Sequence, residues 1–232
     1  MSISVGNARN VAVRGAWLGQ TPESFQRAVL SRCVIDIAQT GQVLYSVGDP
    51  PGAMYCVVSG SLQVSIAPRM EGPYFTHLLQ PGDWGGEAAA ITGRHRLVGL
   101  SVPRRSTLLR LPLLAIHQIT NEDPGAWRYF GCLAVLNFAT ALGVIDDLMI
   151  RDDFKRLVSV ILRLAGAIGP RPIGEKSNDV PVNQQDIATM ANLSRSTTGA
   201  FLRRLELEGH VQLVYRRVIV RDPVRLRAYL AS

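Results

Sequence analysis

Between Gly41 and Leu111 turn-forming residues recur so often that no long helix fits between them. Gly48-Asp-Pro-Pro-Gly52, Ser59-Gly60, Pro68 through Pro73 and Pro81-Gly82-Asp83 cut the chain into short pieces. Glycine and proline punctuate backbone structure because one opens positive φ and the other fixes φ and removes a donor. The pieces left between them, Met54–Val58, Leu62–Ile66, Phe75–Leu79 and Thr107–Leu111, are short and apolar. Leu62, Val64 and Ile66 alternate with Gln63 and Ser65, the period of a strand with one buried face. Many short strands with frequent turns predict an antiparallel β-roll or jelly roll.

The texture changes at Asn121-Glu-Asp-Pro124, which reads as a helix start with proline in the first turn. The helix expected from there to Leu148 is apolar on two sides. Leu133, Leu136, Thr140, Val144 and Asp147 form one stripe; Val135, Phe138, Leu142, Ile145 and Met149 form another. Two apolar sides need two partners: the chain's own barrel for one, a symmetry mate for the other. Asn137 reads equally as a register-setting residue in the seam or as an exposed one. The uncharged stretch of this helix, Tyr129–Ile145, has 17 residues, short of the ~20 that a bilayer helix wants, so no membrane partner is expected. A second helix is expected over Asp152–Ala167, followed by the breaker string Gly169–Gly174 and a loop over Glu175–Asp179.

Val182 to Leu205 fits a helix-turn-helix. Asn183 can cap the first helix, with Asp186 three residues on favouring its positive end. Asn192 falls at the sharp turn, and Asn tolerates positive φ. Ser194 is a good cap for the second helix, whose inner side is Phe201, Leu202 and Leu205. That leaves Arg195, Ser196, Thr197, Ala200 and Arg203 facing outward. Such a helix reads bases with its first residues and holds phosphates with hydroxyls, arginines and amides, and Arg195 suits the fork onto guanine O6 and N7. The candidate DNA contacts are therefore Ser194, Arg195, Ser196, Thr197, Asn183, Gln184, Gln185 and Arg203. The hairpin Val211–Val220 adds Arg216 and Arg217 at its turn, as a wing over the backbone.

Charge agrees with a polyanionic partner: 25 Lys and Arg against 18 Asp and Glu give +7 and a pI near 9.8. From Ile173 onward there are nine basic and six acidic residues, and the basic ones cluster around one helix. Three scattered cysteines, Cys33, Cys56 and Cys132, suit neither a disulfide framework nor a zinc site, and a reducing cytoplasm is expected. The N-terminus lacks the charged and apolar regions of a signal peptide. No P-loop, dinucleotide fingerprint, G-x-S-x-G or HExxH occurs, so neither an enzyme nor a metal site is expected.

The order barrel, long helix, helix-turn-helix and wing resembles the Crp-Fnr family of bacterial transcription regulators. The resemblance is carried by Leu193-Ser-Arg-Ser-Thr-Thr-Gly199 with Leu202 and Leu205, by Pro81-Gly-Asp-Trp-Gly-Gly-Glu87, and by Gly41, Gly48 and Gly60. It implies an α+β chain with three parts: an effector-type β-roll with an N-terminal helix over 1–121, a dimerisation helix over 122–150, and a winged helix-turn-helix over 151–232. It implies a homodimer joined along 124–149, binding a palindromic operator in double-stranded DNA and contacting RNA polymerase. Arg195 matches the guanine-reading arginine of the best-known member, but Ser196 and Ala200 replace its other two base readers, so an operator other than TGTGA is expected.

In cyclic-AMP-binding members a Gly-Glu pair and an Arg-Ser-Ala triplet hold the ribose and phosphate. Here Gly86, Glu87 and Ala88 fall in place and Arg96 nearly so, with the Glu-to-Arg spacing one residue short; Leu97 and Val98 replace Ser and Ala. The adenine-reading Thr-Ser pair aligns with Ala141 and Leu142, beside Thr140. A site built to hydrogen-bond loses affinity with its partners, which argues against orthodox cyclic-AMP control. The family's iron–sulfur and haem sensors need cysteine and histidine ligands that are missing here. A different reading is a cyclic-nucleotide-binding module acting on a protein partner, which leaves Ser194–Thr198 and the wing without a role.

Overall fold

The computed structural model describes residues 5–67, 72–169 and 178–231, so the expected breaks at 68–71 and 170–177 and the start of the chain lie outside the described residues. The chain divides into two compact units, Met1–Tyr74 with Leu78–Phe138, and Phe75–His77 with Ala139–Ser232.

The first unit opens with α1 (Val5–Arg14), a short 3-10 turn and α2 (Glu23–Arg32). The strands are β1 (Val34–Ala38), β2 (Val43–Tyr45), β3 (Met54–Ser59), β4 (Leu62–Ile66), β5 (Tyr74–Leu79), β6 (Trp84–Gly85), β7 (Gly99–Ser101) and β8 (Ser106–Leu111). They form two four-stranded sheets, ordered β1-β8-β3-β6 and β2-β7-β4-β5, with antiparallel registers such as Cys56 opposite Leu109 and Val64 opposite Leu100. The expected strands are present. The alternation in β4 is weaker than its sequence suggests, because Leu62 is buried, Val64 half-buried and Ile66 exposed.

Val57, Leu62, Leu79, Leu100 and Leu108 form one core cluster. A second is aromatic: Trp17 meets Trp84 edge-on at 5.3 Å, and Phe25 meets Phe130 at 5.3 Å. Burying each such side chain stabilises the unit by about 1.5–3 kcal/mol. Gly60 sits at φ +89, and a Cβ there would lie 2.2 Å from Ser106 Oγ, so only glycine fits. Two helices interrupt the strand pattern: α3 (Glu87–Thr92), set between left-handed Gly86 and Gly93, and α4 (Leu113–Glu122), started by Pro112.

The long helix, α5 (Ala126–Met149), begins two residues after Pro124 and runs through both units. Leu133 and Asp147 on its first stripe are buried and Leu136 is half-buried. On the second stripe Val135, Phe138, Leu142, Ile145 and Met149 are 65, 63, 44, 54 and 75% exposed. Their alternating spacing of three and four is that of a coiled-coil seam. At 24 residues and mean hydropathy 1.6 over its window, this helix is long and apolar enough to cross a bilayer, unlike the uncharged stretch taken alone. Asn137 is neither in the seam nor free: its Nδ2 donates to Trp84 O at 3.2 Å.

The second unit contains α6 (Asp153–Leu164), β9 (Asp179–Val180), α7 (Gln184–Met190), α8 (Arg195–Leu207), β10 (Val211–Val214), β11 (Arg217–Val220) and α9 (Pro223–Ala231). The sheet order is β10-β11-β9. Asp152 caps α6 by accepting from Lys155 N at 2.9 Å. Leu157, Ile161, Ile187, Leu202, Leu205 and Leu226 are fully buried. The end of α5 is tied to α6 by a buried cluster: Arg163 Nε donates to Asp147 Oδ2 at 2.6 Å and Ser159 Oγ to Asp147 Oδ1 at 2.5 Å. Removing either charge would leave the other buried and unpaired, a loss of about 3–5 kcal/mol.

Candidate nucleic-acid interface and effector site

The candidate interface is shaped by local hydrogen bonding. Asn183 Oδ1 accepts from Asp186 N at 2.9 Å and Asp186 Oδ2 accepts from Asn183 N at 3.3 Å, closing a reciprocal cap on α7. Burial pushes the Asp186 carboxyl above its ordinary range, against the backbone bond at Asn183 and the nearby charge of Arg216. Asn192 takes φ +50, and Ser194 Oγ then accepts from Thr197 N at 3.0 Å to start α8. The same hydroxyl lies 2.9 Å from Ser196 Oγ and 2.8 Å from Thr197 Oγ1, which makes a hydroxyl cluster at the positive end of the helix.

The inner side of α8 is Thr198, Gly199, Leu202 and Leu205. A Cβ at Gly199 would lie 3.4 Å from Gln184 Oε1, an ordinary van der Waals contact with that side chain. Phe201 is half-buried, edge-on to Phe154 at 5.3 Å. Ser194, Arg195, Ser196, Ala200 and Arg203 are exposed, Thr197 is half-buried, and Gln184 and Gln185 are exposed on α7. Neighbouring arginines differ in how they are held. Arg204 Nε donates to Glu208 at 2.9 Å and its guanidinium lies over Phe154 at 4.3 Å. Among the described residues no ion pair holds Arg195 or Arg203.

In the wing, Tyr215 and Arg216 form the turn, with Arg216 at φ +55. Arg217 is not at the tip: it begins β11 opposite Val214, and its Nη1 donates to Asp179 Oδ2 at 2.9 Å. Tyr215, 87% exposed, is a tip residue that the sequence reasoning passed over. Its signal is an aromatic residue inside a two-residue turn next to two arginines.

In the β-roll, Gly86 takes φ +101 and starts α3, which places Glu87 in the first turn with its side chain buried. Burial pushes the Glu87 carboxyl up, against a hydrogen bond from Asn137 and the charge of Arg96. Arg96 is 5% exposed; its Nη1 donates to Gly86 O at 2.8 Å and its Nη2 to Ala53 O at 2.9 Å. The guanidinium lies over the Tyr45 ring at 3.9 Å. Ala88 is half-buried on α3, while Leu97 is 75% exposed and faces solvent rather than an interior site. Thr140 and Ala141 fall in the other unit, half-buried and exposed respectively.

A family model described as the Crp-like helix-turn-helix domain matches residues 155–229, and one described as the cyclic nucleotide-binding domain matches residues 37–123. Together they account for more than half of the chain, in the order of the regulators. The chain belongs to the Crp-Fnr family.

Solved structures share the fold of this Crp-Fnr protein. FixK2 from Bradyrhizobium japonicum is 14% identical with a TM-score of 0.71, over 84% of this chain and 96% of that one. The c-di-GMP-responsive global regulator CLP of Xanthomonas campestris is 19% identical with a TM-score of 0.64, over 87% of this chain and 100% of that one. A CRP-family transcriptional regulator of Thermus thermophilus is 19% identical with a TM-score of 0.64, over 85% of this chain and 97% of that one. No curated protein matches the sequence. The Crp-Fnr chain is a DNA-binding transcription regulator with a cyclic-nucleotide-binding-type domain, and not an enzyme.

Proposed function

We propose that the chain acts as a cytoplasmic homodimer, joined along 124–149, that binds a palindromic operator with α8 of each copy. The observation that carries this is the N-terminal face of α8, where Arg195 is exposed and held by no ion pair among the described residues. Arg195 forks onto a guanine. Ser194, Ser196 and Thr197 hold phosphates with hydroxyls and amides, and Asn183, Gln184, Gln185, Arg203 and Arg216 flank them on the backbone. Arg217 contributes through the wing while remaining bonded to Asp179. Half-sites would lie one turn, ~34 Å, apart. The exposed seam of α5 is covered by the second copy, and a buried Asp147 on its other side suits an aqueous dimer better than a bilayer span. RNA polymerase is the protein partner, as in the family. Switching falls to the β-roll, by a small effector other than through the orthodox cyclic-AMP contacts.

Selection from a randomised DNA pool at two salt concentrations tests this. A palindrome is expected, with affinity falling steeply as salt rises. Phe138→Glu is expected to convert the dimer to a monomer in sedimentation and to abolish palindrome selection. A module acting on a protein partner would show no salt-dependent DNA affinity, and that result would overturn the proposal.

A further inference from the structure

We infer that the β-roll closes its own phosphate seat with Arg96, so that 3′,5′-cyclic mononucleotides neither bind it nor control DNA binding; the second half rests on the regulator reading above. A guanidinium can clamp a phosphate only while its fork is open to the anion's oxygens. Here both arms of the fork are turned to main-chain oxygens, Gly86 O at 2.8 Å and Ala53 O at 2.9 Å. An anion at the same fork would bring its oxygens against two carbonyls of like partial charge. The backbone stands close on this side as well: a Cβ at Gly86 or Gly52 would lie 3.0 or 3.1 Å from an Arg96 nitrogen. The ring of Tyr45 covers a face of the guanidinium at 3.9 Å.

The remaining groups do not compensate. Leu97 offers no hydroxyl and faces solvent. Glu87, the residue positioned for a ribose hydroxyl, already has a donor in Asn137, which also donates to Trp84 O within the same unit. Glu87, Asn137 and the two terminal arms of Arg96 thus have partners inside the chain, while Arg96 Nε and Tyr45 Oη are buried without one among the described residues. Adding a ligand to such a site requires breaking what is there.

The full-length protein, titrated calorimetrically with cyclic AMP and with cyclic GMP, is expected to give no saturable heat and no change in Tm. Its affinity for pool-selected DNA is expected to stay within about twofold when either nucleotide is added. Saturable binding, or a tightening of DNA binding by about tenfold or more, overturns the inference. Leu97→Ser, an exposed change that leaves the fold alone, restores the hydroxyl and should remain silent; binding gained by that variant would show a missing contact rather than a closed seat. Silent calorimetry together with no DNA selection under any condition supports the closed seat and overturns the regulator reading, so the two failures are told apart.

Discussion

Arg96 and Arg195 carry the same guanidinium into opposite surroundings. In the β-roll, Arg96 is buried, donates to two carbonyls and stacks on a tyrosine. At the start of α8, Arg195 is exposed and no ion pair among the described residues holds it. Both terminal arms of Arg96 are engaged inside the chain, although its Nε is buried without a partner among the described residues, and an engaged arm has little left to offer a ligand. An exposed charge is cheap to leave unsatisfied, and its interaction energy remains for a partner. The molecule therefore keeps the chemistry of one unit for its own architecture and leaves that of the other available.

The contrast is sharpest if the two arginines respond to different assays. Arg96→Ala strands two carbonyls and leaves Glu87 buried without its cation; the β-roll should lose roughly 2–5 kcal/mol in urea denaturation. A loss under about 1 kcal/mol would break the contrast on that side. Arg195→Ala should leave the melting curve unchanged and cost ~1–3 kcal/mol at one base position in the selected DNA, with specificity relaxed there. Retained preference at every position would remove Arg195 from base reading. Ser194→Ala, which deletes the cap on Thr197 N, should lower the stability of the helix-turn-helix unit by about 1 kcal/mol, read by thermal melting.

The smallest effect is a pH dependence. Burial raises the Glu87 carboxyl in the folded chain, so the fold favours its protonated form. That contribution is fully present below the ordinary carboxylate range and is lost as pH rises through the raised value. Glu87→Gln mimics the protonated group at every pH. Compared with the native chain, the variant should gain stability at neutral pH relative to acid pH. A pH profile parallel to that of the native chain would show that Glu87 does not titrate differently on folding.

What could be read from the sequence was what depends on near neighbours. The caps at Asn183 and Ser194 act over three residues, and the positive φ at Asn192 is a property of one residue in a short turn. The strands were legible because turn residues bound them on both sides. What could not be read depends on distant partners. Asn137 finds Trp84 O across 53 positions, and Arg217 finds Asp179 across 38. Asp147 sat in an apolar stripe without a reason until Ser159 and Arg163 were seen to surround it. The helix α3, six residues long, is below the length at which periodicity is informative. The longer α4 carried a signal in Pro112 at its start.

The clasp at Arg96 also limits the routes by which descendants of this chain could change. Its partners are main-chain oxygens, which no point substitution deletes. Opening this fork to an anion while keeping Arg96 would therefore require the backbone at Ala53 or Gly86 to move. The exposed face of α8 carries no such constraint, so single changes there can alter which DNA is read without disturbing the buried core.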